Sequence, residues 1–157
     1  MEPNEIIPGL YIGNMHSAKD ADFFKRKNIG AVLNCTPDVP HYFAHSSGAV
    51  EYMRINVNDS LQQVDFQKMA AFIPCGVQFI HKNLELDKKP ILVHCHAGVQ
   101  RSAAMVAAYL MYKFRLPLEK AINHIIRQRS VAFLFGRSVN FKTSLIHYAK
   151  SIGNAQN

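Results

Sequence analysis

The stretch that most constrains this chain of 157 residues runs from Pro90 to Phe114. Pro90-Ile91-Leu92-Val93 is a continuous apolar run, the pattern of a strand covered on both faces. From Ser102 to Phe114 almost every position is apolar, so the helix it predicts is buried all round rather than along one stripe. Between them lies His94-Cys95-His96-Ala97-Gly98-Val99-Gln100-Arg101-Ser102. A buried strand that feeds a buried helix through one short loop is a building unit of an α/β layer fold.

The rest of the chain supplies the other layers. Gly9 and Gly13 bracket Leu10-Tyr11-Ile12, a short first strand. Ser17 with Asp20 three residues on has the form of a capping box, which predicts a helix from there to about Lys27, ended by Asn28 and Gly30. Ala31-Val32-Leu33-Asn34-Cys35 reads as a buried strand stopped by Pro37, and Met53, Ile55 and Val57 alternate with polar neighbours as another. Phe66, Met69, Ala70, Ile73, Val77, Ile80 and Leu84 recur at helical spacing, which predicts a long helix over about 65–85, kinked at Pro74 and with Cys75 in the core. Leu118, Ala121, Ile122, Ile125 and Ile126 mark a further helix with Pro117 in its first turn, and a last helix covers about 139–150. Strands alternating with helices imply a central, mostly parallel sheet flanked by helices. No repeat, linker or low-complexity tract divides the sequence, so residues 1–157 read as one domain.

Charge narrows the partners. The formal net charge is +7, with 48% hydrophobic and 18% charged residues, a balance that excludes disorder and suits an anionic partner. That class covers phosphoproteins, nucleic acids and anionic membranes. Three cysteines make no complete disulfide set and show no metal or redox spacing. Met1-Glu2-Pro3-Asn4-Glu5 is acidic where a signal peptide is basic, and no apolar run approaches the ~18 residues of a membrane span. The expectation is a reduced, soluble, cytoplasmic domain with no stable membrane association.

The loop from His94 to Ser102 carries the chemistry. Sites in open α/β folds gather at the carboxyl ends of strands, and a loop entering a helix there presents free N–H groups and the positive end of a dipole. Such a nest binds a tetrahedral dianion. Gly98 permits the curl, and the planar fork of Arg101 grips two phosphate oxygens. At the base of that cradle the thiolate of Cys95 is favoured, and attack of its sulfur on phosphorus gives a covalent phosphocysteine. His94, Cys95 and His96 do not read as a metal site, because adjacent residues of one loop cannot readily face one ion and a coordinated thiolate is not free to attack. His41, His45, His81, His124 and His147 read as surface or helix-face residues, and Lys25-Arg26-Lys27 as a solvated helix end or a dock for acidic substrate. Phe133, Phe135 and Arg137 are either rim or core. Cys35, ending a strand beside the loop, is either a plain buried cysteine or a resolving thiol for Cys95.

His-Cys-x-x-Gly-x-x-Arg-Ser resembles the signature of the cysteine-dependent protein tyrosine phosphatases. Ala107-Ala108-Tyr109-Leu110-Met111 resembles a run in their small dual-specificity branch, and Gly9-Leu10-Tyr11-Ile12-Gly13 and Arg54-Ile55-Asn56-Val57-Asn58-Asp59 agree with it. The resemblance extends over about residues 6–150 and implies a phosphatase of phosphotyrosine and phosphoserine/threonine in proteins. It implies Cys95 as nucleophile, Arg101 as phosphate clamp, Ser102 stabilising the departing thiolate, and His94 fixing the loop and tuning the thiolate. The backbone amides of His96, Ala97, Gly98, Val99, Gln100 and Arg101 complete the cradle, with no metal or cofactor. Asp59 matches the family's general acid, and Asp65, the competing carboxylate, reads as a helix cap. The brevity points to a virus-encoded or atypical member, of baculovirus type.

Two features depart from that pattern. Asp59 and Cys95 are 36 residues apart, a few more than usual in this branch, and Ser130–Val139 lacks the usual sequence before the last helix, although Asn140-Phe141 matches it. Alternatives that keep the chemistry are RNA 5′-phosphates and phosphoinositides. Against them, the loop lacks the lysines of inositol-lipid relatives and the Asn and Thr of RNA-triphosphatase relatives. A catalytically inactive phospho-binding module predicts a damaged nucleophile, arginine or acid, and all three are intact.

Overall fold

A computed structural model describes residues 2–45 and 50–154. The apolar run at Ile91 becomes the central strand β5 (Ile91–His94) of a five-stranded sheet, in the order β1-β2-β5-β3-β4. Its neighbours β2 (Leu10–Gly13) and β3 (Ala31–Asn34) run parallel to it, and β4 (Glu51–Arg54) runs parallel to β3. Only β1 (Asn4–Ile7), an edge strand, is antiparallel, and the sequence patterning did not reveal it. Side chains alternate across the sheet as the pleat requires. Ile91 and Val93 enter the larger apolar cluster with Leu10, Ile12, Ala31 and Leu33, while Leu92 packs with Tyr11, Val32, Phe23 and Phe24 on the other face.

The helices divide between those faces. The short α1 (Ala21–Arg26) covers the smaller cluster. The larger face carries α2 (Gln63–His81), α3 (Arg101–Phe114), α4 (Leu118–Gln128) and α6 (Lys142–Ser151). As its uniformly apolar sequence requires, α3 is buried from Arg101 through Met111. The remaining piece, α5 (Ala132–Gly136), is a left-handed turn: Phe133, Leu134 and Phe135 have φ of 55°, 53° and 57°. Among the described residues no helix is long and apolar enough to cross a membrane.

Several expected boundaries shift for local reasons. The helix expected from Ser17 begins at Ala21, because Asp20 is its N-cap, accepting from Phe23 N at 3.1 Å. Ser17 Oγ is engaged instead with Asn14, whose Oδ1 it reaches at 3.1 Å, and residues Ser17–Lys19 make a 3₁₀ turn. The β4 ladder ends at Arg54, yet Ile55 and Val57 stay buried, so the alternation outlasts the pairing. The long helix runs through Pro74 and passes at Lys82–Leu86 into a π-helical turn. Cys75, expected in the core, is exposed, since the buried stripe is Met69, Ile73, Gly76, Val77 and Ile80 and position 75 falls opposite it. Pro117 is the N-cap of α4 rather than a first-turn residue.

The stripe contains a glycine for a packing reason. A Cβ on Gly76 would lie 2.5 Å from Met105 Sδ and 3.1 Å from Ile55 Cδ1, and both neighbours are themselves fully buried. Helix propensity favours alanine by about 1 kcal/mol, and overpacking costs about 1–3 kcal/mol. Gly76→Ala is therefore expected to lower the urea midpoint, by up to about 2 kcal/mol in stability; a gain would show that α2 and α3 are less closely packed.

Candidate active site

At the carboxyl end of β5 the backbone turns its carbonyls outward, and each finds a donor. The Cys95 carbonyl lies 3.3 Å from His94 Nδ1, and the His96 carbonyl accepts from Met15 N at 2.8 Å. Arg129 donates from Nη2 to the Ala97 carbonyl at 3.4 Å and from Nε to the Gly98 carbonyl at 2.9 Å. The Val99 carbonyl accepts from Phe133 N at 2.9 Å and the Gln100 carbonyl from Ala104 N at 2.8 Å. The amides of residues 96–101, by contrast, donate to no protein group among the described residues. They stand at the N-terminus of the 14-residue α3, where the helix dipole adds positive potential. Gln100 is the N-cap but makes no capping bond; its side chain donates to the Ser138 carbonyl at 2.8 Å and accepts from Asn140 N at 3.1 Å.

One residue makes the curl possible. Gly98 has φ +69°, and a Cβ there would come within 2.6 Å of both the Gly13 carbonyl oxygen and Arg129 Nη2. No other residue fits.

Cys95 is buried, its Sγ 3.2 Å from Ser102 Oγ. Arg101 is buried beside it and donates from Nη1 to the Val57 carbonyl at 2.8 Å, while its Nε–H has no protein acceptor among the described residues. That bond ties the phosphate loop to the chain two residues before Asp59. Asp59 itself is exposed, with no side-chain partner among the described residues. Asp65 is buried, and its two oxygens take Asn58 N at 3.3 Å and the Ser60 hydroxyl, the residues either side of Asp59. It sits inside α2, whose N-cap is Gln62, so it clasps the loop ahead of the helix rather than capping the first turn alone.

The histidines differ sharply. Burial pushes the pKa of His94 down to about 4, so it is neutral near pH 7, and its Nδ1 donates to the Cys95 carbonyl. Its Nε2 has no partner among the described residues. His96 is partly exposed and meets Asp38 Oδ1 at 2.7 Å, a contact that lowers the Asp38 pKa and draws the loop after β3 against the site. His41, expected on the surface, is half-buried and stacks on Tyr52, with centroids 4.4 Å apart.

Sequence reasoning missed Arg129. Its guanidinium is almost wholly buried and also reaches Asn4 Oδ1 at 2.8 Å, so it bolts the phosphate loop to the first strand. Burial lowers its pKa and nearby Cys95 raises it. The available signal was its phase: four residues after Ile125, it continues the buried stripe of α4. Cys35 lies where expected, its N donating to the His94 carbonyl at 2.8 Å. Burial, and then Cys95, push its thiol well above the ordinary value, which works against the ionisation a resolving thiol needs. Phe133 is core, whereas Phe135 and Arg137 are exposed. Among the described residues no cluster of three metal-ligating side chains forms.

A mostly parallel sheet whose central strand ends in an amide-lined loop around a cysteine defines the cysteine-phosphatase class of α/β proteins. The model of the family "Dual specificity phosphatase, catalytic domain" matches residues 10–151, and the chain belongs to that family. It is 31% identical over 150 residues to the human dual specificity protein phosphatase 9, covering 96% of this chain and 37% of that protein. It is 40% identical over 120 residues to the Drosophila melanogaster dual specificity protein phosphatase Mpk3, covering 76% of this chain and 28% of that protein. The chain thus spans about a third of the length of these curated relatives. Among solved structures, human DUSP28 superposes with a TM-score of 0.81 at 22% identity, covering 96% of this chain and 95% of that one. DUSP15 gives 0.78 at 26% identity, over 95% and 89%.

The depressed pKa of His94 makes a prediction about stability. A histidine with a folded pKa near 4, against an ordinary 6.5, favours the fold fully above pH 6.5, and that contribution is lost as pH falls towards 4. His41, Arg54 and His96 all press in the same direction. Denaturant unfolding between pH 7 and pH 4 is expected to show a loss of up to about 1.4 kcal/mol per pH unit from this group, absent in His94→Asn. Parallel pH profiles for the two proteins would contradict it.

Proposed function

We propose that this chain is a protein phosphatase that hydrolyses phosphotyrosine and phosphoserine/threonine through a phosphocysteine intermediate on Cys95. The observation that carries the reading is the run of six amides at residues 96–101 with no protein acceptor among the described residues, set around the buried Cys95 sulfur. Such a cradle is matched to the charge of a phosphate dianion before substrate arrives. The remaining donors of Arg101 take two of its oxygens.

In the first step the Cys95 thiolate attacks phosphorus, the P–S bond forms and the P–O bond breaks. The leaving oxygen takes its proton from Asp59, which the Arg101–Val57 and Asp65 contacts hold near the loop. Asp59, now a carboxylate, then accepts a proton from water as that water attacks phosphorus. The P–S bond breaks, and the Ser102 hydroxyl, 3.2 Å from Sγ, steadies the returning thiolate. Neutral His94 holds the loop through the Cys95 carbonyl. Every step uses protein groups only, so turnover is expected to persist in excess EDTA.

Two sets of variants test this. Cys95→Ser is expected to lose turnover while still binding a phosphate mimic, and Arg101→Lys to be crippled despite keeping its charge. Activity within tenfold of wild type in either would remove that residue's role. Asp59→Asn is expected to slow phosphopeptide hydrolysis by about 10²–10⁴-fold, to matter less for p-nitrophenyl phosphate, and to flatten the basic limb of the kcat/KM profile. Asp65→Asn keeps that limb, because it loosens the loop without removing the acid. If Asp65→Asn removes the limb and Asp59→Asn does not, the two carboxylates exchange roles.

A further inference from the structure

The segment that departs from the family pattern holds the most strained backbone of the described chain. Three consecutive residues, Phe133, Leu134 and Phe135, are left-handed, and none is glycine. Each such residue costs roughly 1–2 kcal/mol, and such strain persists only where the surroundings impose it. Here they do. Phe133 is fully buried, its N donates to the Val99 carbonyl at 2.9 Å, and its own carbonyl accepts from Ser138 N at 3.0 Å. Gln100 then grips both sides of Ser138–Asn140 from within the phosphate loop. Leu134 and Phe135, 53% and 59% exposed, therefore follow directly on a residue bonded to the loop. Their exposure gains nothing for the fold.

Other exposed apolar side chains sit next in sequence to residues of the site. Met15, whose N donates to the His96 carbonyl, lies on the β2 side, and Leu61 and Val64 follow Asp59. A peptide whose phosphate reaches Cys95 comes close to the segments bonded to this loop. Membrane attachment is the other use of exposed Leu and Phe, but it calls for a cluster of basic residues, and Ser130–Ser138 contains one, Arg137.

We propose that Leu134 and Phe135 form a substrate-selecting platform for phosphoproteins that carry a bulky apolar side chain flanking the phosphorylated residue. The inference rests on the phosphatase reading of Cys95 and adds the class of sequence it prefers. Neither side chain touches the reacting atoms, so the effect belongs to peptide recognition and not to the chemical step.

The test uses a set of phosphotyrosine peptides in which each flanking serine is replaced in turn by leucine, with p-nitrophenyl phosphate as the substrate that has no flanks. Wild type is expected to favour the best leucine peptide by about tenfold or more in kcat/KM, carried by KM, as burial of one aliphatic side chain allows. In Leu134→Ser/Phe135→Ser that ratio falls towards one, while p-nitrophenyl phosphate turnover and the melting midpoint stay at wild-type values. No leucine preference in wild type, or a preference that survives in the double variant, overturns the proposal. So does a double variant that loses only its binding to phosphatidylserine vesicles, which would make the turn a membrane contact. If wild type fails on p-nitrophenyl phosphate as well, the phosphatase reading itself falls and takes this one with it.

Discussion

The outward hydrogen bonding of the carbonyls from Cys95 to Gln100 is the constraint on which the rest of the molecule depends. A peptide unit that commits its oxygen to one side leaves its N–H, and those of its neighbours, to the other. Buried backbone donors without acceptors are costly, and a protein tolerates them where a ligand completes them. The stability spent on the loop is supplied from outside it, by Arg129, by Met15 N, by Phe133 N and by the first turn of α3. Its position comes from β5, the central strand, whose parallel neighbours fix where the loop begins. Gly98 is demanded by the same arrangement, since the Gly13 carbonyl leaves no space for a side chain.

A second set of contacts couples this loop to the chain that carries Asp59, the proposed acid. Arg101 holds the Val57 carbonyl, and Asp65 holds Asn58 N and the Ser60 hydroxyl, so Asp59 is bracketed but itself free. This division suits two different tasks. A group that shuttles a proton gains from exposure and from having no competing partner, while a buried carboxylate with two donors suits positioning. Rigidity is thus placed around Asp59 and not on it.

How much of this the sequence disclosed follows from where physical signals are strong. β5 and α3 were legible because burial on every side writes an unbroken apolar run, and the loop that gathers Cys95, Arg101 and Ser102 was legible because its residue types and spacing are specific. The edge strand β1 was not, since four residues paired along one edge leave little period to detect. The start of α1 was misplaced because Ser17 and Asp20 both suit a cap, and only the turn at Asn14 shows that Ser17 is already engaged. Arg129 escaped notice because a charged side chain at a buried phase looks like a solvated one until its acceptors are known. Phe133-Leu134-Phe135 gave no warning of a left-handed turn, a conformation ordinarily announced by glycine. For Arg129 and Phe133 the deciding partners, the Gly98 and Val99 carbonyls, lie more than thirty residues away in sequence.

The central claim is that the amides of residues 96–101 form a preset site for a tetrahedral anion, and backbone NMR of the Cys95→Ser protein tests it directly. In a titration of the ¹⁵N-labelled variant with inorganic phosphate, these six amides are expected to shift together with one saturating dissociation constant, joined by the Arg101 guanidinium. Saturating shifts confined to other basic positions, such as Lys25-Arg26-Lys27, with residues 96–101 unmoved, would contradict the account.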